Sequence, residues 1–178
     1  MFEHEIKFAI KNMKSFLKTL DTQKIEFGNE RHQIDKVWIL KDADGTNIIP
    51  SQPVVRTREQ KGKIMLTLKR ELAHGTMEEH ETEIGDIAAA EGILSVLGFR
   101  KLVEIDKRRK STKAGIFTLC LDTVKDLGNF LEIEFVSKTK DTDAKAKILE
   151  FAKTLGLSEK DIVINTYNTL LCRKFDLR

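Results

Sequence analysis

Charges that return at every second residue constrain this chain more than any other feature. Glu3, Glu5 and Lys7 alternate with Phe2, Ile6 and Phe8, and the same period recurs in Arg56/Arg58, Glu81/Glu83, Lys107/Arg109 and Glu132/Glu134. Successive side chains leave a strand on opposite faces, so this alternation predicts strands. A half-buried sheet with a solvated polar face explains any one of them. Several pairs, however, carry one sign only, and like charges at neighbouring positions repel unless something neutralises them. A cation for the carboxylates and a polyanion for the basic pairs meet that need.

The pattern divides the chain into roughly eight strands and three or four helices. Strands are expected at residues 2–10, 31–40, 54–59, 63–71, 78–84, 102–111, 116–124 and 130–138. Met13, Phe16, Leu17 and Leu20 recur at helical spacing within residues 12–20. A second helix, over residues 86–97, has Asp86 as its cap, an apolar face of Ile87, Ile93, Leu94 and Leu97, and Gly98 after its end. A third, over residues 143–155, stops at Gly156, and a short helical tail follows. Asp44-Gly45 predicts a turn, Pro50 and Pro53 a loop, and Gln60 to Lys63 with Gly62 a hairpin.

A chain of 178 residues that is 40% hydrophobic can bury one sizeable core, and no linker divides it, so one domain spanning residues 1–178 is expected. Lys and Arg number 31 against 28 Asp and Glu, and a net charge of +3 does not mark a partner in nucleic acid or membrane. The run Lys107-Arg108-Arg109-Lys110 reads better as alternation, with Lys107 and Arg109 inward, than as a nucleic-acid patch. Cys120 and Cys172 are too few for a disulfide framework and are assigned to packing, as is Trp38. No apolar run reaches the ~20 residues of a bilayer span, and the start resembles no signal peptide, so a cytoplasmic location is expected. His4, His32, His74 and His80 are not spaced like zinc ligands.

If the strands close into a barrel, alternate residues point into one lumen where carboxylates meet basic side chains. Leu66/Leu68 and Leu131/Ile133/Phe135 then pack outward under the helices. Such a lumen suits a triphosphate with Mg²⁺ or Mn²⁺, because hard cations take carboxylate and phosphate oxygens while Arg and Lys bind the remaining phosphate charge.

The residues also resemble a known family. Glu3-His4-Glu5-Ile6-Lys7 is similar to the Glu-x-Glu-x-Lys opening of CYTH domains. Gln33-x-Asp35, Arg56-x-Arg58, Thr67-Leu68-Lys69, Glu81-x-Glu83, Gly98-Phe99 and Lys107-x-Arg109 follow in the family's order. Leu121-Asp122-Thr123-Val124 and Leu127-Gly128-Asn129-Phe130-Leu131-Glu132-Ile133-Glu134 complete it. Tyr167-Asn168-Thr169-Leu170-Leu171 resembles the tail of the CyaB-type, or class IV, adenylyl cyclases.

The resemblance implies an α+β fold, an eight-stranded antiparallel closed barrel forming a triphosphate tunnel with helices outside. It implies Glu3, Glu5, Glu132 and Glu134 as metal ligands, supported by Glu81, Glu83 and Asp122, for two divalent ions. Lys7, Arg56, Arg58, Lys69, Lys107 and Arg109 are implied as phosphate ligands, and Glu5, Lys69, Arg109, Asp122 and Glu134 as the catalytic set. Lys69 is one candidate general base, activation by metal alone the alternative. A homodimer is also implied. The expected reaction is conversion of ATP into cyclic AMP and pyrophosphate. The alternatives are hydrolysis of thiamine triphosphate or tripolyphosphate, and a triphosphate-binding module without turnover.

Overall fold

A computed structural model describes residues 2–40, 52–71, 77–137 and 142–177, with the side chains of Phe2, Glu3, Glu71 and Met77 left out of the description. Its strands are β1 (Phe2–Ile10), β2 (Arg31–Leu40), β3 (Val54–Gln60), β4 (Lys63–Glu71), β5 (Met77–Ile84), β6 (Phe99–Ala114), β7 (Phe117–Val124) and β8 (Gly128–Ser137). Its helices are α1 (Met13–Thr22), α2 (Ile87–Val96), α3 (Ala144–Thr154) and α4 (Tyr167–Phe175). The fold is α+β, with the strands in the order β1-β8-β7-β6-β2-β3-β4-β5 and antiparallel in every ladder described. No ladder joins β1 to β5 among the described residues, so this sheet is not closed by hydrogen bonds. The Asp44-Gly45 turn, Pro50, His74 and Lys138 lie outside the described residues.

Two compact units make up the chain. The first comprises Met1–Arg31 and Lys107–Thr166. In it β1, β8, β7 and the second half of β6 pair in turn, and the apolar face of the sheet is covered by α1 and α3. Phe16 and Leu20 on α1, and Ala144, Ile148 and Ala152 on α3, are spaced four apart, so each set forms one stripe. They pack with Phe8, Leu119, Leu131, Ile133 and Phe135 from the strands. Asn12 caps α1 by accepting the Ser15 backbone N–H at 3.0 Å.

The second unit comprises His32–Asp106 and Tyr167–Arg178. Its strands run β6-β2-β3-β4-β5, and Trp38, Val55 and Leu94 form a smaller core with Leu66, Leu68 and Phe99 against it. Trp38 is a packing residue, its indole N–H 3.4 Å from Thr57 Oγ1. Lys61 and Gly62 both have positive φ, at 50° and 75°, as a two-residue hairpin between right-twisted strands requires. Gly98, at φ 87°, ends α2 and lets β6 begin at once. β6 therefore runs from Phe99 to Ala114, longer at both ends than the alternation predicts.

One packing expectation is corrected. Asp86 does cap α2, accepting the Ala89 N–H at 3.0 Å, but only Leu94 of this helix is buried. Ile93 and Leu97 are more than half exposed, because the small core beneath α2 admits a single large side chain.

Candidate metal and phosphate site

On the other face of the first unit's sheet, the register sets charged residues side by side. Glu5 is the Cα partner of Glu134, and Lys7 of Glu132. Glu132 is in turn opposite Cys120, and Asp122 opposite Arg109. Cα partners share a face, so alternation on four strands gathers these side chains without any special loop.

Glu5, Glu132 and Glu134 each offer a carboxylate oxygen within 4.8 Å of the others. Lys7 Nζ lies 3.4 Å from Glu132 Oε1. Arg109 donates through Nε and Nη2 to both oxygens of Asp122, at 2.7 and 2.5 Å, and also to Glu132. Asp122 is fully buried, and Lys107 Nζ stands 3.8 Å from it. Asp122 thus holds Arg109 and Lys107 from behind the carboxylate group. Glu3 has its backbone opposite Val136 and its side chain outside the description.

The charges are unevenly compensated. Burial works against ionised Glu132, but Arg109, Lys7 and Lys107 outweigh it and hold its carboxyl below the usual range. Burial likewise disfavours the Arg109 cation, yet its bonds to Asp122 and its attraction to Glu132 raise its pKa above the ordinary value. Glu5 keeps one side open to solvent, but protein crowds its carboxyl. That desolvation, then the charge of Glu132, raises its pKa to about 7. Three hard oxygen donors, one of them held protonated by burial and by the neighbouring carboxylates despite Lys7 and Arg109, fit Mg²⁺ or Mn²⁺.

A metal ion there has to displace the Glu5 proton. Affinity for Mn²⁺ is therefore expected to fall as pH drops below about 7 and to level off above it, checked by calorimetric titration across that range. The folded-state pKa of Glu5 is raised above 4.5, so metal-free protein binds the extra proton only when folded. This group's contribution is present at low pH and lost as pH rises from 4.5 through about 7, and added metal should oppose that loss in melting curves.

The second unit carries its own charged face. Arg58 donates to both oxygens of buried Asp35 at 2.6 and 2.7 Å. Arg56 Nη2 donates to Thr67 Oγ1 at 3.1 Å and Glu81 Oε2 at 3.3 Å, while its Nε is buried with no partner among the described residues. Burial, followed by repulsion from Arg58, lowers the Arg56 pKa despite Asp35 and Glu81. This is a cation short of negative charge. Lys69 pairs with Glu79 at 3.0 Å and Lys63 with Glu83 at 2.8 Å. Glu81 and Glu83 accordingly face cations of their own unit, and neither belongs to the carboxylate group of Glu5.

Cys120 lies on the charged face, not in the apolar core, with Sγ 3.6 Å from Glu134 Oε1. Its alternation phase, shared with Asp122, carried that information. Arg109 and Lys107 point inward as expected, whereas Arg108 is exposed and pairs with Glu30 at 2.9 Å. His4 stacks on Phe135, and His32 and His80 pair with Asp106 and Glu78.

In comparison with known proteins, residues 1–167 match the CYTH domain. The chain belongs to the CYTH family. Adenylate cyclase CyaB of Aeromonas hydrophila is 24% identical over 171 residues, covering 95% of this chain and 88% of that protein. A conserved hypothetical protein of Pyrococcus furiosus is 35% identical, with a TM-score of 0.78 over 95% of this chain and 99% of that one. A provisionally assigned adenylyl cyclase of Hippeastrum, described as having a dominant triphosphatase activity, is 18% identical, with a TM-score of 0.67 over 99% of this chain and 97% of that one. The CYTH match runs through both units, and the protein is an enzyme of this family.

Proposed function

We propose that this CYTH enzyme is a metal-dependent adenylyl cyclase of the class IV kind, converting ATP into cyclic AMP and pyrophosphate. The observation that carries the reading is the group of Glu5, Glu132 and Glu134 with Lys7 and Arg109 against it. In this reading Glu5, Glu132 and Glu134, with Glu3, hold two Mg²⁺ or Mn²⁺ ions. When bound, the ions lower the pKa of the attacking hydroxyl and neutralise phosphate oxygens. Lys7, Lys107 and Arg109 bind phosphate, and Arg56, Arg58 and Lys69 are assigned the same role, Arg56 because its orphaned N–H lacks an anion. Asp122 positions Arg109, and Glu81 and Glu83, implied by the resemblance as part of the acidic shell, instead orient Arg56 and Lys63.

The ribose 3′-oxygen forms its bond to the α-phosphorus, the α–β bridging P–O bond breaks, and pyrophosphate leaves. The hydroxyl proton passes to solvent, and Lys69, ion-paired with Glu79, serves as a cation. Closure of the sheet into a tunnel, a single 1–178 domain, a homodimer and a cytoplasmic location belong to the same proposal.

A second reading, hydrolysis of thiamine triphosphate or tripolyphosphate, is favoured by the triphosphatase activity of the Hippeastrum relative. A binding module without turnover fits less well, since loss of catalysis relaxes the need for three adjacent carboxylates. The purified protein is incubated with ATP, thiamine triphosphate and tripolyphosphate, each with Mg²⁺ or Mn²⁺, and products are resolved by chromatography. Cyclic AMP with pyrophosphate is the expected result. Orthophosphate without cyclic product establishes the triphosphatase instead, and binding without turnover the module.

A further inference from the structure

The two guanidinium groups on the charged face of the first unit are unequally occupied. Arg109 gives Nε and Nη2 to Asp122 and Glu132, so two carboxylates neutralise it. Arg31, at the start of β2, donates through Nη2 to Ser111 Oγ at 2.8 Å. Among the described residues it makes no other hydrogen bond and no ion pair.

Register and contacts fix where that guanidinium stands. Ser111 is the Cα partner of Cys120, Cys120 of Glu132, and Glu132 of Lys7. Ser111 Oγ lies 3.5 Å from Cys120 Sγ, and that sulfur lies 3.6 Å from Glu134 Oε1. Arg31 is therefore joined to the carboxylate group by a short chain of side chains on one face of the sheet. The carboxylates stand on β1 and β8, and Arg31 stands beyond β7 and β6 from them.

We propose that Arg31 is a further phosphate-binding residue of this site, an inference that rests on the phosphate reading above. A guanidinium carries five N–H donors in a fixed fork and keeps its charge at any ordinary pH. The Ser111 hydroxyl orients the fork through one donor without neutralising it, whereas Asp122 both orients and neutralises Arg109. Arg31 thus presents a half-buried, uncompensated positive charge on the face that carries the carboxylate group, the partner that a phosphate oxygen needs. Anchoring of the backbone does not explain the side chain, because the Gly28 N–H already ties this segment to the Ser111 carbonyl at 3.1 Å. No motif marks Arg31 in the sequence, although it stands two residues before Gln33 and shares its alternation phase.

Calorimetry of magnesium tripolyphosphate and of Mn²⁺ alone, on wild-type protein and on Arg31→Gln, tests the assignment. The variant is expected to bind tripolyphosphate about tenfold to a hundredfold more weakly and Mn²⁺ as before, and Arg31→Lys, which keeps the charge and loses the fork, to recover part of the loss. Tripolyphosphate affinity within about twofold of wild type overturns the proposal and leaves the phosphate reading standing. A parallel loss of Mn²⁺ affinity overturns it too, since Arg31 then supports the carboxylate group. Absence of tripolyphosphate binding by the wild-type protein overturns both readings. Labelling of Arg31 by phenylglyoxal, followed by peptide mass spectrometry, needs no variant to fold. Tripolyphosphate at about ten times its dissociation constant is expected to slow that labelling about tenfold while Mn²⁺ alone leaves it unchanged; no protection by bound tripolyphosphate overturns the proposal.

Discussion

Glu134→Ala is expected to cut metal-dependent turnover by more than about 100-fold, beyond the 10–100-fold typical of removing a partner outside the metal's own ligands. The same change should leave the metal-free fold as stable as before or slightly more so. Glu134 lies within 4.8 Å of two other carboxylates, and deleting one of three like charges relieves repulsion. Turnover assays and thermal melting of the same sample separate the two effects. Full activity in the variant refutes the assignment of Glu134, and a large drop in melting temperature makes its role structural.

Asp122→Ala is expected to act the opposite way, through stability first. Asp122 is completely buried, accepts two bonds from Arg109 and lies beside Lys107, itself 4% exposed. Removing it takes the buried carboxylate from both cations and leaves Arg109 its bond to Glu132, and breaking one side of such a buried pairing costs about 3–5 kcal/mol. Urea unfolding with two spectroscopic probes measures the loss. Asp122→Asn, which keeps the shape and one acceptor oxygen, should recover part of it. A cost below about 1 kcal/mol for the alanine variant contradicts the structural role given to Asp122.

Much of this architecture was legible because strand geometry is local. Alternation at Glu5 to Lys7, Arg56/Arg58 and Glu132/Glu134 placed β1, β3 and β8 with their faces correctly divided. The Lys107 to Lys110 run resolved into inward and outward cations by the same rule. The apolar set on α2 misled, because helical spacing reports which residues share a face and not whether a core waits beneath it. Cys120 looked like a packing residue because cysteine is usually buried in apolar surroundings, whereas its phase on β7 turns it toward Glu134.

The sequence by itself determined the eight strands, the helix ends at Asp86, Gly98 and Gly156, and the candidate charged residues, since each depends on neighbours a few positions away. Tertiary structure decided which charges meet. Glu5 joins Glu132 and Glu134 across 127 to 129 residues of chain, while Glu81 and Glu83 are met by Arg56 and Lys63 of their own unit. It also decided that Asp122 lies buried behind Arg109 and that residues of α4 line a cavity with Ile39 and Val54. Those outcomes depend on long-range strand register, a property of paired backbones that no local pattern of side chains contains.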